Sequence, residues 1–242
     1  LNEMVDWAEG KYFTGCASDD ILLPSKISLL VEKLENLDDS YSVAFGDAIF
    51  IDDNSNEVFI DRKTGEYTTE ENGYKFFLDY YTFERDFDYK DEKSFGSYKT
   101  LLAGNYLPAM SYVIKLDKIR EVGAWTSGNT IEDWEMWLKL SKNYKFAYID
   151  EPVAFYRWHD SNTCKTMKFE LVRDSLQLLE EEKNYAFSKG YKSAFYTTLV
   201  NLVIQLIIHN KSMLIKKLIQ YSINPVFVYL FVLKLIHKIQ KY

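Results

Sequence analysis

The chain has 242 residues, of which 47% are hydrophobic and 17% aromatic, and it contains few glycines and prolines. This length allows one large domain or two small ones with a sizeable core, and the composition excludes a disordered or fibrous protein. The net charge is −7 at pH 7. An acidic chain argues against nucleic acid as the main partner, because phosphate binding needs a basic surface.

The charge is divided unevenly along the chain. Residues 1–182 hold all 36 acidic residues and 20 of the 29 basic residues, so this part has a net charge of −16. Residues 183–242 hold nine lysines and no acidic residue, which gives a net charge of +9. A basic and apolar end on an acidic body suggests contact with an anionic membrane surface.

Cysteine is used sparingly. Cys16 and Cys164 form no CxxC pair and belong to no Cys/His pattern suited to zinc. A reducing compartment is the simplest interpretation, so we expect a cytoplasmic protein that is peripheral at the inner face of the membrane.

The first predicted elements have an α/β pattern. Lys11–Cys16 predicts a short strand, Pro24 and Ser25 suit the first turn of a helix, and Ser42–Ile51 predicts a buried strand. The predicted helix has one apolar stripe, formed by Ile27, Leu30, Val31 and Leu34. A strand, a helix and a strand in this order imply a parallel βαβ unit.

Residues 57–104 mix aromatic and acidic residues without a clean period. A long segment of this kind within a domain favours either a functional lid or acceptor loop, or a plain surface insertion. After it, Asn105–Lys115 predicts a strand, and Leu116–Val122 predicts a short helix that Gly123 ends.

The second half begins with a predicted helix over Ile131–Ser141, which has tryptophans on its buried side. A strand is predicted over Lys145–Ile149, where Glu151-Pro152 stops it, and another over Val153–Thr163 that leads into a polar turn. The remainder is predicted to be helical. We therefore expect an α/β domain over residues 1–165 and a helical, membrane-associating region over residues 166–242.

The end of the chain contains an unbroken apolar run of nine residues, Pro225–Leu233. A helix that spans a bilayer needs about 20 such residues. An interfacial amphipathic helix fits better, with Lys234, Lys238 and Lys241 reaching lipid headgroups, and we expect peripheral membrane contact through residues 211–242. The alternative is a C-terminal helix that docks on the core of the same protein.

Three short motifs contain the residues best suited to chemistry: Ser18–Asp20 (SDD), Glu132-Asp133 and Tyr156–His159 (YRWH). Each has a plain structural explanation when taken alone. The first is a common turn, acidic residues at a helix start are stabilised by the helix dipole, and a lone histidine after a strand is usually structural.

Taken together, the motifs resemble those of family 2 glycosyltransferases with the GT-A fold. GKYFTGCASDDILLPSKI resembles the metal-binding signature of that family, in which an apolar strand ends in a DxD-type motif followed by Leu-Pro. IREVGAWTSGNTIEDWEMWLKLS resembles its acceptor-side segment, and IDEPVAFYRWHDSNT resembles its closing segment. The resemblance covers roughly residues 8 to 163. It implies a GT-A-like mixed, mostly parallel sheet flanked by helices, with a C-terminal helical tail.

The resemblance also implies roles on the donor side. Asp20 would be the direct ligand of Mg²⁺ or Mn²⁺, and Asp19 would contact the ribose of the nucleotide-sugar or the metal. His159 and Arg157 would meet the metal or the diphosphate oxygens, and the guanidinium suits phosphate through its two-pronged geometry. Adjacent carboxylates are the hard oxygen ligands that such cations prefer.

On the acceptor side, the resemblance assigns the general base to Asp133 and an orienting or acceptor-binding role to Glu132. A base on the side of the sugar opposite the leaving group implies single displacement with inversion. This geometry requires Asp20 and Asp133 to line opposite walls of one cleft.

Two features depart from the family pattern. Ala17 stands where many members have an aspartate, which we interpret as a weakened donor contact with the metal site retained. In addition, only 18 residues precede Asp19, whereas the family places several βα units there. The resemblance therefore implies a chain that lacks the N-terminal part of the nucleotide-binding half, with an exposed sheet edge.

The sequence thus predicts a metal-dependent, inverting glycosyltransferase. It would transfer a sugar from a nucleotide-sugar to a lipid-linked saccharide acceptor in the synthesis of surface polysaccharide. The alternative is a non-catalytic remnant that serves as a membrane-associated scaffold. A nucleotidyltransferase is disfavoured, because the sequence lacks a glycine-rich phosphate loop with basic residues.

Overall fold

The computed structural model describes residues 1–126 and 128–240, with side chains as far as His237. The helices are α1 (Asn2–Trp7), α2 (Lys26–Glu35), α3 (Phe77–Thr82), α4 (Tyr98–Leu102), α5 (Leu116–Glu121), α6 (Glu132–Ser141), α7 (Thr163–Thr166), α8 (Lys168–Ser188), α9 (Lys192–His209), α10 (Lys211–Tyr221) and α11 (Pro225–Gln240). The strands are β1 (Tyr12–Phe13), β2 (Ile21–Leu22), β3 (Tyr41–Ile51), β4 (Phe59–Ile60), β5 (Tyr67–Thr68), β6 (Tyr112–Lys115) and β7 (Lys145–Arg157). A 3-10 turn lies at Glu70–Asn72.

The chain divides into two compact units. The first takes in most of residues 1–162, and the second takes in the chain from Thr163 onward together with residues 102–104 and 128–131. The first unit contains the sheet, and the second contains the C-terminal helices. The predicted α/β class and the predicted helical C-terminal region are confirmed.

The main sheet has five strands in the order β1-β6-β3-β7-β2. In the described part of the chain only β3 and β7 pair in parallel, while β1–β6, β6–β3 and β2–β7 are antiparallel. The sheet is therefore mixed, and the prediction of a mostly parallel sheet is wrong. The reason is β6, which inserts between β1 and β3 and runs antiparallel to both, so the two strands of the predicted βαβ unit share a direction without pairing.

Strand β3 lies at the centre of the sheet. All eleven of its residues are buried, as expected for a strand covered on both faces. Ala44 packs on one face with Leu30 and Leu34 of α2. Phe50 lies in a separate cluster with Phe77 and Tyr80 of α3 and with other aromatic side chains.

Strand β7 runs without interruption from Lys145 to Arg157, so the predicted stop at Glu151-Pro152 is wrong. Pro152 lies opposite Asp47, where the register between β3 and β7 shifts. A proline lacks the N–H that a regular ladder uses, and an irregularity of this kind is where a sheet accepts one. The long strand carries its C-terminal end to the candidate site.

Residues 57–104 contribute to the core and are not an irregular excursion. They form the β4–β5 hairpin, the 3-10 turn, α3 and α4, and Leu78 and Phe95 are among their buried side chains. These elements are stabilised by packing against the sheet, which the local sequence pattern could not reveal. A contact of this segment with an acceptor stays a prediction.

Two local predictions are also corrected. Helix α2 buries Leu30 and Leu34 as predicted, but it also buries Lys26 completely and leaves Ile27 47% exposed, so the start of the predicted apolar stripe is wrong. The strand predicted over Asn105–Lys115 is limited to β6, because residues 105–111 are irregular although Tyr106 and Leu107 are buried.

The second unit is organised around α9. Helices α8, α10 and α11 all contact α9, which buries a wide face that includes Phe195, Val200 and Val203. Burial over such a wide face fits a helix that is mostly apolar. No helix within the described residues combines the length and the apolar character needed to cross a bilayer.

Candidate functional site

Lys26 holds the loop that precedes the two adjacent aspartates. Its Nζ lies 2.7 Å from Oγ1 of Thr14 and 2.8 Å from the carbonyl oxygen of Met110, and it also contacts the carbonyl oxygen of Gly15. Burial lowers the pKa of Lys26 to about 8, and the nearby Cys16 and Asp20 partly oppose this effect. The ammonium group thereby connects α2, the loop and the turn that precedes β6.

Asp20 is fixed by the pairing of β2 with β7. Ile21 lies opposite Phe155 in this antiparallel pair, and Oδ1 of Asp20 accepts a 3.0 Å hydrogen bond from the backbone N–H of Arg157. Burial raises the pKa of Asp20 to about 6, and the charge of Asp19 acts in the same direction. The backbone N–H of Arg157 opposes the rise.

Asp19 contacts His159 across the same strand ends. Oδ2 of Asp19 lies 3.0 Å from Nε2 of His159, and Nδ1 of His159 lies 2.8 Å from Oγ of Ser161. An ionised carboxylate only accepts hydrogen bonds, so Nε2 donates to Asp19 and Nδ1 accepts from Ser161 in the neutral ring. Asn162 orients the turn further, since its Oδ1 accepts from the backbone N–H of His159.

Arg157 forms side-chain hydrogen bonds with three groups of the same chain. Its guanidinium donates to the carbonyl oxygens of Asp19 and Asp52 and to Oγ of Ser55, at 2.9, 2.5 and 3.0 Å. A guanidinium has five N–H donors, so these three bonds leave two for another acceptor. The first and third sequence motifs therefore meet, through Asp19 with His159 and Asp20 with Arg157. We call these four residues the aspartate–histidine cluster.

The cluster fits a divalent cation by its donor chemistry. Carboxylate oxygens suit Mg²⁺ and Mn²⁺, and an imidazole nitrogen favours Mn²⁺ over Mg²⁺. Among the described residues, no three His, Cys, Asp or Glu side chains are arranged as a complete metal site. A site that holds Mg²⁺ with one or two carboxylates and takes its other ligands from substrate phosphates needs no such set.

Asp133 lies at the start of α6 and is half-buried. Its Oδ2 accepts a 2.8 Å hydrogen bond from Nδ2 of Asn105, and its Oδ1 accepts from the backbone N–H of Trp134. Burial raises the pKa of Asp133 to about 6, and the charge of Glu132 adds to the rise. Glu132 is likewise half-buried on the same helical turn.

Tyr112 contacts the loop before Asp19, and its hydroxyl is within electrostatic range of Asp133. Its hydroxyl accepts a hydrogen bond from the backbone N–H of Gly15, and a Cβ added to Gly15 would lie 2.9 Å from that oxygen. Burial raises the pKa of Tyr112, and the negative charge of Asp133 contributes. A common cleft between Asp20 and Asp133 stays a prediction.

A cavity of about 270 Å³ lies elsewhere in the first unit, between β1, α2 and α5. Lys11, Glu35, Lys115 and Arg120 are among its lining residues, and none of the predicted site residues is. Its charged side chains are already paired, for example Lys11 with Glu35 at 2.7 Å.

The sequence motifs did not identify three residues that shape the site, namely Lys26, Asn105 and Tyr112. Lys26 follows the helix-opening Pro24-Ser25, where a lysine is expected to be exposed. Asn105 is the first residue of the strand predicted over Asn105–Lys115, and its polar side chain was the only available signal. Tyr112 is one of 19 tyrosines and had no distinguishing context.

Comparison with known proteins gave no relationship, since no family model matches the chain and no curated protein matches it significantly.

Proposed function

We propose that this chain is a glycosyltransferase, or the catalytic part of one, that is metal-dependent and inverts the anomeric centre. It would transfer a sugar from a nucleotide-sugar donor to a lipid-linked saccharide acceptor, as a step in the synthesis of surface polysaccharide. The observation that carries the proposal is the meeting of two motifs far apart in sequence, seen in the 3.0 Å contact between Asp19 and His159.

The donor side would be formed by the aspartate–histidine cluster. Asp20 and His159 would hold Mg²⁺ or Mn²⁺, with Nδ1 of His159 bound in place of its hydrogen bond from Ser161, and the cation would supply Lewis-acid stabilisation of the leaving diphosphate. Asp19 would orient His159 or contact the ribose. The two remaining N–H donors of Arg157 would bind diphosphate oxygens, for which the planar guanidinium is well suited.

The acceptor side would be formed by Asp133 with Asn105 and Glu132. A carboxyl with a pKa of about 6 is mostly ionised at pH 7 and is more basic than an ordinary aspartate. It can therefore take the proton of an acceptor hydroxyl as the bond to the sugar forms. Asn105 would position its Oδ2, and Glu132 would orient the acceptor.

Two substitutions separate these roles. Asp133→Asn should abolish transfer from a panel of nucleotide-sugars, yet leave the binding of UDP with Mn²⁺, measured by titration calorimetry, unchanged. Asp20→Asn should weaken that binding at least about tenfold, because a metal ligand is lost. Turnover that persists in Asp133→Asn would remove the base assignment, and unchanged binding in Asp20→Asn would remove the metal assignment.

A second candidate is a non-catalytic scaffold derived from a glycosyltransferase. The favouring observation is that the four residues of the cluster already bind one another, through Asp19 with His159 and Asp20 with the backbone of Arg157. Such contacts can fasten the β2–β7 edge without any ligand. In this case no nucleotide would bind, and His159→Ala would lower the melting temperature as its only effect.

A further inference from the structure

Helix α11 has a continuous apolar face without a partner in the described residues. Five apolar side chains lie on it at helical spacing and are 40–64% exposed: Val228, Tyr229, Val232, Leu233 and Ile236. The opposite side of the helix is packed, since Phe227 is buried against Tyr221. Isolated exposed apolar residues are ordinary, but five on one helix face indicate an interaction surface.

Helix α10 also exposes apolar side chains, and lysines lie on both sides of them. Ile215 and Ile219 are one turn apart and exposed, and Ile223 follows the helix with 92% of its surface exposed. Lys211 and Lys216 are also exposed, and their positions on the helical wheel lie on either side of the isoleucines. Lysines at the borders of an apolar stripe are typical of helices that lie in a membrane interface.

We propose that the exposed faces of α10 and α11 bind the surface of an anionic lipid bilayer. The apolar side chains would enter the boundary between headgroups and acyl chains, while the lysines would contact lipid phosphates. Charge complementarity selects this occupant, because residues 183–242 contain nine lysines and no acidic residue. The apolar run of nine residues, Pro225–Leu233, is too short to span a bilayer.

A second copy of the chain is a poorer occupant of these faces. Pairing through the same surface would bring Lys211 and Lys216 of both copies together, and like charges across an interface disfavour association. The inference rests on charge and exposure in the second unit. It is therefore independent of the proposed transferase activity.

The test is flotation of the full chain with lipid vesicles. We expect binding to vesicles of phosphatidylcholine with roughly one-third phosphatidylglycerol, weak binding to phosphatidylcholine alone, and loss of binding at high salt. The matched pair of variants is Ile236→Glu and Ile27→Glu, because both isoleucines are 47% exposed and only Ile236 lies on the proposed face. The first should lower the partition coefficient about tenfold or more, and the second should leave it unchanged.

The lysines give a second measurement that does not depend on the apolar variants. Lys211→Gln and Lys216→Gln should each weaken binding to the anionic vesicles up to about fivefold, whereas the exposed Lys63→Gln in the first unit should have no effect. Absence of flotation, or equal losses in the Ile27→Glu and Ile236→Glu variants, would overturn the proposal. So would a concentration-dependent increase in mass by light scattering that Ile236→Glu abolishes, since it would assign the face to protein contacts.

Discussion

Nδ2 of Asn105 donates a 2.8 Å hydrogen bond to Oδ2 of Asp133. Asn105 is itself fixed, because its Oδ1 accepts from the backbone N–H of Leu107 and its backbone carbonyl oxygen accepts from the half-buried guanidinium of Arg85. A hydrogen bond to the ionised carboxylate favours the charged form and opposes the rise in pKa that burial causes. Asn105 therefore helps to fix the direction of the Asp133 carboxylate and lowers its pKa, although burial has the largest effect on that pKa.

Asn105→Ala should raise the pKa of Asp133 above about 6, since the stabilising donor is removed. If Asp133 is the base, the acidic limb of the pH profile of kcat/KM should move to higher pH by about one unit. The exposed Asn143→Ala is the matched control and should leave the profile unchanged. A lower rate at every pH with an unmoved limb would assign Asn105 a purely structural role.

Gly15→Ala should displace the hydroxyl of Tyr112, because the new Cβ would lie 2.9 Å from it. We expect a loss of about 1–3 kcal/mol in the free energy of unfolding, measured by urea denaturation. Gly10→Ala is the control, since its Cβ would meet only the carbonyl oxygen of Tyr12 at an ordinary 3.5 Å. Adding Tyr112→Phe to Gly15→Ala removes the clashing oxygen and should recover part of the loss. If Gly15→Ala and Tyr112→Phe lowered the free energy of unfolding by independent, additive amounts, the contact between the two residues would be contradicted.

Stability should fall as pH rises through the range in which Asp47 titrates. Burial raises the pKa of Asp47 from 3.8 to about 7, so between these values the unfolded chain releases this proton and the folded chain keeps it. The contribution of Asp47 is complete below pH 3.8 and is lost as pH approaches about 7. Asp47→Asn should remove this dependence, because the amide oxygen can still accept from the backbone N–H of Leu78.

The measurement is urea denaturation at about pH 5 and about pH 7, where one proton corresponds to about 1.4 kcal/mol per pH unit. The wild-type chain should lose more stability over this interval than Asp47→Asn. Asp53→Asn changes the same charge at an exposed position and should behave as wild type. An unchanged slope in Asp47→Asn would show that Asp47 is ionised in the folded chain throughout.

Gly96→Ala should destabilise the first unit strongly. Its backbone φ is +60°, and an added Cβ would lie 2.2 Å from the buried ring of Phe146. Gly123 shares the positive φ, at +84°, but a Cβ there would meet nothing within 4 Å. We expect losses of about 3 kcal/mol for Gly96→Ala and about 1 kcal/mol for Gly123→Ala, so that the difference isolates the steric clash. Equal losses of stability in the two variants would mean that the Phe146 ring moves aside without cost.

Several elements were recognisable from short stretches of sequence. The largely apolar stretch at residues 42–51 predicted a buried strand, and β3 is buried along its whole length. The periodic spacing at residues 131–141 predicted α6, and the apolar helices after Thr163 were equally apparent. These predictions succeeded because strand alternation and helical periodicity are properties of neighbouring residues.

The sequence by itself thus determined the α/β class, the main helices and strands, and the residue types in three candidate motifs. The tertiary structure alone decided that β6 separates β1 from β3, that β7 continues through Pro152, and that Lys26 is buried beneath the loop before Asp19. The contacts of Asp19 with His159 and of Asp133 with Asn105 also depend on the fold. The first contact joins residues 140 apart in the sequence, and the second joins residues 28 apart. Such pairings are selected by packing of the whole unit, and no local pattern encodes them.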